Sequence, residues 1–544
     1  MSGMLHGWSG FFAAYAAIQV PMFAGLVRAR AKFHQYVTSP AIAAPLMAVA
    51  AVGTALSSPL LLQLGFAAHG PAQVAVATGI SAVLGFAGGH AIAHGDPQNK
   101  LHQRGSLVSE RSPEIKQSGR ASINAGITLA GIRVPAQDET KHFKLIGATG
   151  TGKSTAIEEI MAHALARGDR AVIADPDGGY LQRFYKKERG DVILNPFDES
   201  SVKWDLFAEI RTAYDVEQLA RSLIPDHEGQ DRSWRGYART FFSAVTRQAH
   251  EAGISDIGEL YRLLVVADND ELRGLLRGTP AQPFLDEHNS RMFDSIRSVT
   301  SSAVAALDYV AQQKATDFSV RDWVDDNNPG VLFIPYKAGQ IASLRSTISA
   351  WMRLAIFETM DQGEYQARLW FVVDELDALG QIDGLKDALA RLRKFNGRCV
   401  LGFQSIAQVS STYGQDAHTI VENCGNTLIF RCSASEGGGT ARFASQLIGE
   451  REVVRTSVSK TRRATEIFGS VSRSQHFAVE PAVLPSQVEQ LPDLTGYLKY
   501  ASEQTWQRVR LDARNRWTEM RSAHAGSNQS LNERSQRFLD ANRE

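Results

Sequence analysis

The sequence predicts an α/β chain: a parallel-sheet nucleotide-binding fold that carries an all-α insertion and follows an N-terminal transmembrane helical hairpin. Three observations predict it. A glycine-rich phosphate-loop pattern, Gly147–Ser154, stands between a β-like run and an amphipathic helical run. Apolar strand-like runs alternate with helical ones around it, and one of them ends in two acids, Asp374 and Glu375. No Asp, Glu, Lys or Arg occurs from Phe33 to Gly95.

The N-terminus is built differently from the rest. Lys plus Arg and Asp plus Glu number 58 each in 544 residues, so the whole chain shows no electrostatic partner. Any nucleic-acid contact must then come from local patches. The first acid is Asp96, and before it the only charged side chains are Arg28, Arg30 and Lys32. Within the uncharged run, Ala41–Phe66 and Pro71–Ala93 are each long enough to cross about 30 Å of hydrocarbon. The "AAHG" between them is too short for a folded domain, which leaves a tight hairpin. A pair of Ala-rich core helices is the competing reading, but a soluble core rarely leaves so long a run without charge. Basic residues flank both outer ends, so these face the cytoplasm, together with everything after Asp96. Gly10–Val27, with Gln19 and Pro21, stays open between lying in the interface and crossing as a third helix. If it crosses, the residues before it are outside. Met1–Gly10 has no basic n-region, so a cleavable signal is not expected. Cys399, Cys424 and Cys432 show neither metal spacing nor even pairing and fit a reduced compartment as plain thiols.

The phosphate-loop pattern gains weight from its context. "HFKLI" leads in as a strand and "TAIEEIMAHALARG" leads out as a helix that stops at Gly168. Gly147, Ala148, Thr149, Gly150, Thr151, Gly152, Lys153, Ser154 and Thr155 are the expected nucleotide-binding residues. Their backbone N–H groups and the helix N-terminus suit phosphate oxygens. Lys153 is expected to bridge the β- and γ-phosphates, and Ser154 to ligate Mg²⁺. The run Leu369–Val373 delivers Asp374 as a second Mg²⁺ partner and Glu375 as the general base that polarises the attacking water. A third run, "CVLGFQS", ends at Gln404, a neutral amide able to sense the γ-phosphate or orient water. Between these two runs lies "ALARLRKFNGR". With Arg391, Arg393, Lys394 and Arg398, it is either a solvated basic face or the source of an arginine acting on a neighbouring subunit's phosphate. One phosphate loop per chain makes such an arginine a trans contribution, which implies a ring.

Further strand runs are Arg170–Pro176, Asp191–Pro196, Gly330–Pro335 and Asn426–Cys432, a pattern of the RecA-like kind. The strand signal vanishes from about Leu206 to Trp323, where helical periodicity reads as the all-α insertion. The expected boundaries are an apolar segment over residues 1–40, the hairpin over 41–95 and the first half of the nucleotide-binding domain over 96–205. The insertion follows over 206–325, the second half over 326–500 and a polar tail over 501–544.

Together "GATGTGKST", "ILNPFDESSVKWDLF", "LWFVVDELDALGQIDGLKDAL", "LGFQSIAQV" and "LPSQVEQLPDLTGYL" resemble the conjugative coupling proteins of type IV secretion, the TraD/TrwB-type ATPases. The resemblance runs from the hairpin to about Leu498. It implies an inner-membrane, multi-pass, homo-hexameric and DNA-dependent ATPase that uses ATP and Mg²⁺. The resemblance further implies partners: DNA, the relaxase or relaxosome, inner-membrane secretion components and membrane lipid. Lys153, Ser154, Asp374, Glu375 and Gln404 keep their roles, and Arg393 falls where the family's trans-acting arginine sits, with Arg391 as its rival. The departure is the minimal segment between the two spans.

The tail is too poor in apolar residues to fold alone, although Trp506 and Trp517 are placed to pack its first part back on the motor. Two other functions remain in view. A membrane receptor ATPase would recruit protein substrates without pumping DNA. A chromosome-segregation translocase of the FtsK kind predicts an added DNA-reading domain and linker that the sequence does not show. An ABC transporter is disfavoured because no LSGGQ-like signature lies between the phosphate loop and the acidic strand.

Overall fold

The computed structural model describes residues 2–29, 31, 33–64, 71–94, 101–110, 126–226, 232–326, 328–361, 367–435, 438–461 and 470–512. The chain divides into two units, Met1–Arg104 with Glu452–Glu480, and Gly105–Arg451 with Pro481–Glu544.

The first unit holds three helices, α1 (Ser2–Arg28), α2 (Phe33–Gln63) and α3 (Pro71–His94). Gln35–Gln63 and Pro71–Ala91 are long and apolar enough to cross a membrane by length and composition. α2 starts ahead of the expected Ala41. The residues that extend it mix apolar and polar side chains without an Asp, Glu, Lys or Arg, and the Thr38 and Ser39 hydroxyls donate back to the Gln35 and Tyr36 carbonyls. A three-stranded sheet orders Leu101–Gly105, Glu450–Thr461 and Ser470–Pro481. The expected continuous module over 326–500 is therefore interrupted by a ribbon of two 12-residue strands. Alternation of Val, Thr and Ser with charged residues in "EVVRTSVSKT" favours such a ribbon over a doubly buried strand.

The second unit is built on a ten-stranded sheet. Its strands are β1 (Leu107–Ser109), β2 (Phe143–Ile146), β3 (Arg170–Pro176), β4 (Val192–Ile193), β5 (Val331–Tyr336), β6 (Leu369–Val373), β7 (Gly397–Phe403), β8 (Asn426–Ile429), β9 (Thr495–Lys499) and β10 (Thr505–Arg510). The spatial order is β1-β10-β9-β8-β2-β7-β6-β3-β5-β4. From β8 to β4 every neighbouring pair is parallel, and these seven strands are the seven apolar runs of the sequence. β9 and β10 add an antiparallel hairpin at the β8 edge.

Both faces are covered, which is why the runs read as continuously apolar. Along β6, Leu369, Phe371 and Val373 enter one layer while Trp370 and Val372 enter the other. The second layer receives Ile157, Ile160 and Met161 of α4 (Lys153–Ala166). The first layer is continuous with the insertion, so Phe241, Phe242 and Phe293 share one core with Trp204, Leu332 and Trp351.

The insertion runs through helices Ala213–Leu223, Arg232–Glu251, Ile257–Val265, Asn269–Leu275, Ser290–Val304 and Ala306–Gln312. A short parallel pair, Lys203–Trp204 with Phe318 and Asp317, pinches its two ends together. The first part of the expected tail is not free: Trp506 is 3% exposed, and Val509 and Leu511 are buried. Residues 513–544, including Trp517, lie outside the described residues.

Candidate functional site

Parallel strands deliver their ends to one edge of the sheet, and three of them build the site. β2 runs into the phosphate loop, which turns into α4 at Lys153. The loop is tied from three sides. The Gly147 N–H donates to the Phe403 carbonyl at 3.3 Å, the Ala148 N–H to the Arg431 carbonyl at 2.8 Å, and the Leu494 N–H to the Thr151 carbonyl at 2.8 Å. Gly152 takes φ 120°, and a Cβ there would stand 3.0 Å from Leu494 and 3.2 Å from Leu511. The left-handed backbone favours glycine, and a side chain there would also press on the two leucines.

β6 ends beside this loop. The Ser154 hydroxyl donates to Asp374 Oδ2 at 2.6 Å, joining residues 220 apart in sequence. Asp374 Oδ1 is buried and has no hydrogen-bond partner among the described residues. An ionised oxygen left open beside a serine hydroxyl fits a water-clad divalent cation, so the residues present suit Mg²⁺. Lys153 Nζ donates to its own loop, to Gly147 O at 2.8 Å and Ala148 O at 3.2 Å. Burial lowers its pKa, while Asp374 and Glu375 draw it back up.

Glu375 and Gln404 meet at the same edge. Gln404 Nε2 donates to Glu375 Oε1 at 2.7 Å, and the Thr149 hydroxyl donates to Gln404 Oε1 at 2.9 Å. The amide therefore links the phosphate loop to the second acid. Burial raises the Glu375 pKa and repulsion from Asp374 and Asp377 adds to it, against the Gln404 hydrogen bond and Lys153. A carboxylate of raised pKa is the better proton acceptor. Thr155 sits half-buried on α4.

Arg393 is elsewhere. It closes α6 (Leu385–Leu392) just ahead of β7. Seven residues of β7 separate that end from the phosphate-loop edge, about 20 Å at strand rise. His142 fixes the place. Its Nδ1 accepts the Cys399 N–H at 3.0 Å, so Nε2 donates to Leu389 O at 2.9 Å and pins α6 to the start of β2. Burial holds this imidazole neutral, with its pKa lowered to about 4. Arg391, Arg393 and Lys394 are exposed and form no ion pair among the described residues.

Two residues escaped the sequence reading. The next-to-last residue of β3 is Asp175, fully buried, whose carboxylate accepts the Tyr180 and Leu181 N–H groups at 3.1 and 2.7 Å and starts α5 (Gly179–Phe184). Burial raises its pKa to about 6. The tight turn before α5, with Asp177 and Gly178 at φ 60° and 73°, swings Tyr180 back so that its hydroxyl donates to Asp374 Oδ2 at 2.8 Å. Asp175 carries the signal used for Asp374, a strand ending in an acid. Tyr180→Phe removes one of two donors on Oδ2 and leaves the ring packed. The expected result is a loss of about 10- to 100-fold in Mg²⁺ affinity of the nucleotide-loaded protein, at nearly unchanged melting temperature. Titration of nucleotide binding against Mg²⁺ checks it, and an unaltered Mg²⁺ midpoint would refute the positioning role.

Fold and site define a phosphate-loop nucleotide-binding module on a parallel sheet with an all-α insertion. Residues 126–512 match the family model for the type IV secretion-system coupling protein DNA-binding domain. The chain belongs to this coupling-protein family. It is 32% identical over 391 residues to coupling protein TraD of Escherichia coli K12, covering 71% of this chain and 54% of TraD. It is 23% identical over 407 residues to a conjugal transfer protein TraG of Escherichia coli, covering 65% of this chain and 62% of TraG. The chain thus spans little more than half the length of these relatives. Among solved structures, the conjugative coupling protein TrwBΔN70 superposes with a TM-score of 0.67 at 32% identity, over 76% of this chain and 95% of TrwBΔN70. TrwB bound to a non-hydrolysable ATP analogue, ADPNP, and TrwB bound to ADP and Mg²⁺ each superpose with a TM-score of 0.67 at 30% identity. The first covers 76% of this chain and 95% of that structure, the second 77% and 96%.

Proposed function

We propose that this chain is an inner-membrane, ATP-driven, DNA-translocating coupling protein that links a relaxase–DNA complex to a type IV secretion channel during conjugation. The observation that carries the reading is the convergence of Lys153, Ser154 and Asp374 at one sheet edge in a member of the coupling-protein family. TrwB's complexes with ADPNP and with ADP and Mg²⁺ support ATP and Mg²⁺ as the ligands. The match to a DNA-binding domain of coupling proteins supports DNA as the substrate.

Within the site, Lys153 exchanges its two carbonyl partners for phosphate oxygens, and the loop N–H groups orient the triphosphate. Mg²⁺, when bound, neutralises charge on the phosphates; Ser154 and Asp374 would hold it. Glu375 accepts the proton of the attacking water, and Gln404, already bonded to it, orients that water and reports to Thr149. Arg393 serves a neighbouring copy, so the working form is a homo-hexameric ring. α2 and α3 anchor the chain in lipid with the motor in the cytoplasm, beside the inner-membrane components of the channel.

The test is the ATPase rate of the full chain in lipid nanodiscs, without DNA and with single- or double-stranded DNA, across several salt concentrations. DNA should raise the rate, and the gain should shrink with salt because phosphate contacts release counterions. A rate that answers to relaxosome proteins and ignores DNA would replace this reading with the substrate-receptor one.

A further inference from the structure

We propose that α1 is a third membrane-crossing helix, parallel to α3, which puts residues 2–9 on the face of the bilayer opposite the motor. The inference rests on the reading that α2 and α3 cross a bilayer, and it settles a choice the sequence leaves open.

The register between α1 and α3 decides its depth. A Cβ on Gly85 would stand 2.3 Å from the Ile18 carbonyl oxygen, and one on Gly89 would stand 2.2 Å from that of Met22. Gly25 meets the Phe86 carbonyl in the same way at 2.4 Å. Backbones this close need glycine, as in helix pairs packed within hydrocarbon. Both numberings rise together, the partners lying 67 residues apart at Ile18–Gly85 and Met22–Gly89 and 61 apart at Gly25–Phe86, so the helices are parallel, and continuing these offsets brings the stretch from Met4 to Gly10 level with Pro71. At 27 residues α1 is about 40 Å long, more than the ~30 Å of a hydrocarbon core. If α3 crosses, α1 lies at the same depth along its length.

The sides of α1 away from α3 agree. Gln19 is buried, and its Nε2 donates to Ser39 Oγ of α2 at 2.9 Å, so the amide nitrogen is bonded inside the bundle, while Oε1 has no partner among the described residues. The outward residues include Phe12, Val20 and Val27, which are 62%, 65% and 65% exposed, with Phe23 and several alanines between them. A helix lying flat in the interface needs a charged face. α1 has no Asp, Glu, Lys or Arg before Arg28, so acyl chains are the cover its outer face fits. Arg28 closes α1, Arg30 and Lys32 fall between α1 and α2, and a three-span path puts that connection on the motor side, where basic residues collect.

The test is cysteine accessibility in the full chain. Cys399, Cys424 and Cys432 are buried, which makes the parent chain a silent background for an impermeant maleimide. Ser9→Cys, Leu64→Cys at the α2–α3 turn and Lys187→Cys in the motor are compared in intact inner-membrane spheroplasts. Expected is labelling of Ser9→Cys together with Leu64→Cys, and labelling of Lys187→Cys only after permeabilisation. Ser9→Cys labelling only alongside Lys187→Cys would overturn the third span while leaving the hairpin intact. Leu64→Cys failing to label from outside would remove the hairpin and the third span with it. The same pattern in sealed vesicles of phospholipid alone supports lipid as the cover; a pattern seen in cells and lost in vesicles would overturn that choice in favour of a partner helix.

Discussion

Lys153→Ala brings ATP hydrolysis down to the level of a blank preparation while the chain still folds. The lysine's Nζ spends its hydrogen bonds on the carbonyls of residues 147 and 148, at the mouth of the loop where the phosphates belong. On the proposed role, removing it takes away the ammonium that would meet the β- and γ-phosphates, and loss of a single donor to developing charge commonly costs about 10²–10³ in turnover. The fold should not suffer in proportion. Burial already lowers the pKa of this lysine, so the folded protein does not favour its charge, and the loop keeps its ties to Phe403, Arg431 and Leu494. Steady-state hydrolysis with a thermal melt on the same sample decides the matter. A rate near that of the parent would end the phosphate-loop assignment, and a melting temperature lowered by tens of degrees would show that the lysine serves the fold.

Arg393→Ala is the second large effect, and it tests the ring. Within its own chain this arginine stands at the far edge of the sheet, so it cannot reach its own nucleotide. It is exposed and without an ion pair among the described residues, which leaves it available to a neighbour. An arginine supplied in trans is worth about 10³–10⁵ in turnover. The variant should therefore bind ATP as the parent does and hydrolyse it at least about 10³-fold more slowly. Glu375→Gln should be equally inactive for a different reason, having lost its proton acceptor. Mixed in equal amounts, the two variants rebuild intact interfaces by chance at about one in four, since each needs one correct residue from each side of a heterologous contact. Roughly a quarter of parental activity is then expected. A mixture no more active than either variant alone would refute the trans role, and Arg391→Ala serves as the comparison for the rival arginine.

The legible part of this chain was the part buried on both faces. Leu369–Val373 and the Ala171–Ala174 centre of the next strand read as strands because each of those residues meets a core, so no polar position breaks either apolar run. The edge hairpin was not legible for the converse reason. "TWQRVR" buries Trp506 and Val509 and turns its remaining residues outward, which in sequence resembles a polar tail. Asp374, Glu375 and Gln404 could be proposed because strand ends declare themselves. Tyr180 could not, because its contact depends on two left-handed residues that reverse the chain. Charge alone left the arginine of this basic run open and the family resemblance singled out Arg393, but only the sheet's polarity places it at the edge opposite the phosphate loop.

The moorings of the phosphate loop set an order of events during synthesis. Residues 147–152 emerge from the ribosome early, yet two of their three backbone tethers, the Arg431 carbonyl and the Leu494 amide, are translated some three hundred residues later. Leu494 itself holds φ 62°, a conformation a leucine keeps only when its surroundings are complete. A nascent chain would therefore carry every nucleotide motif before the loop has two of its three backbone anchors. The phosphate loop is fastened late, when nearly all of the sheet has been made.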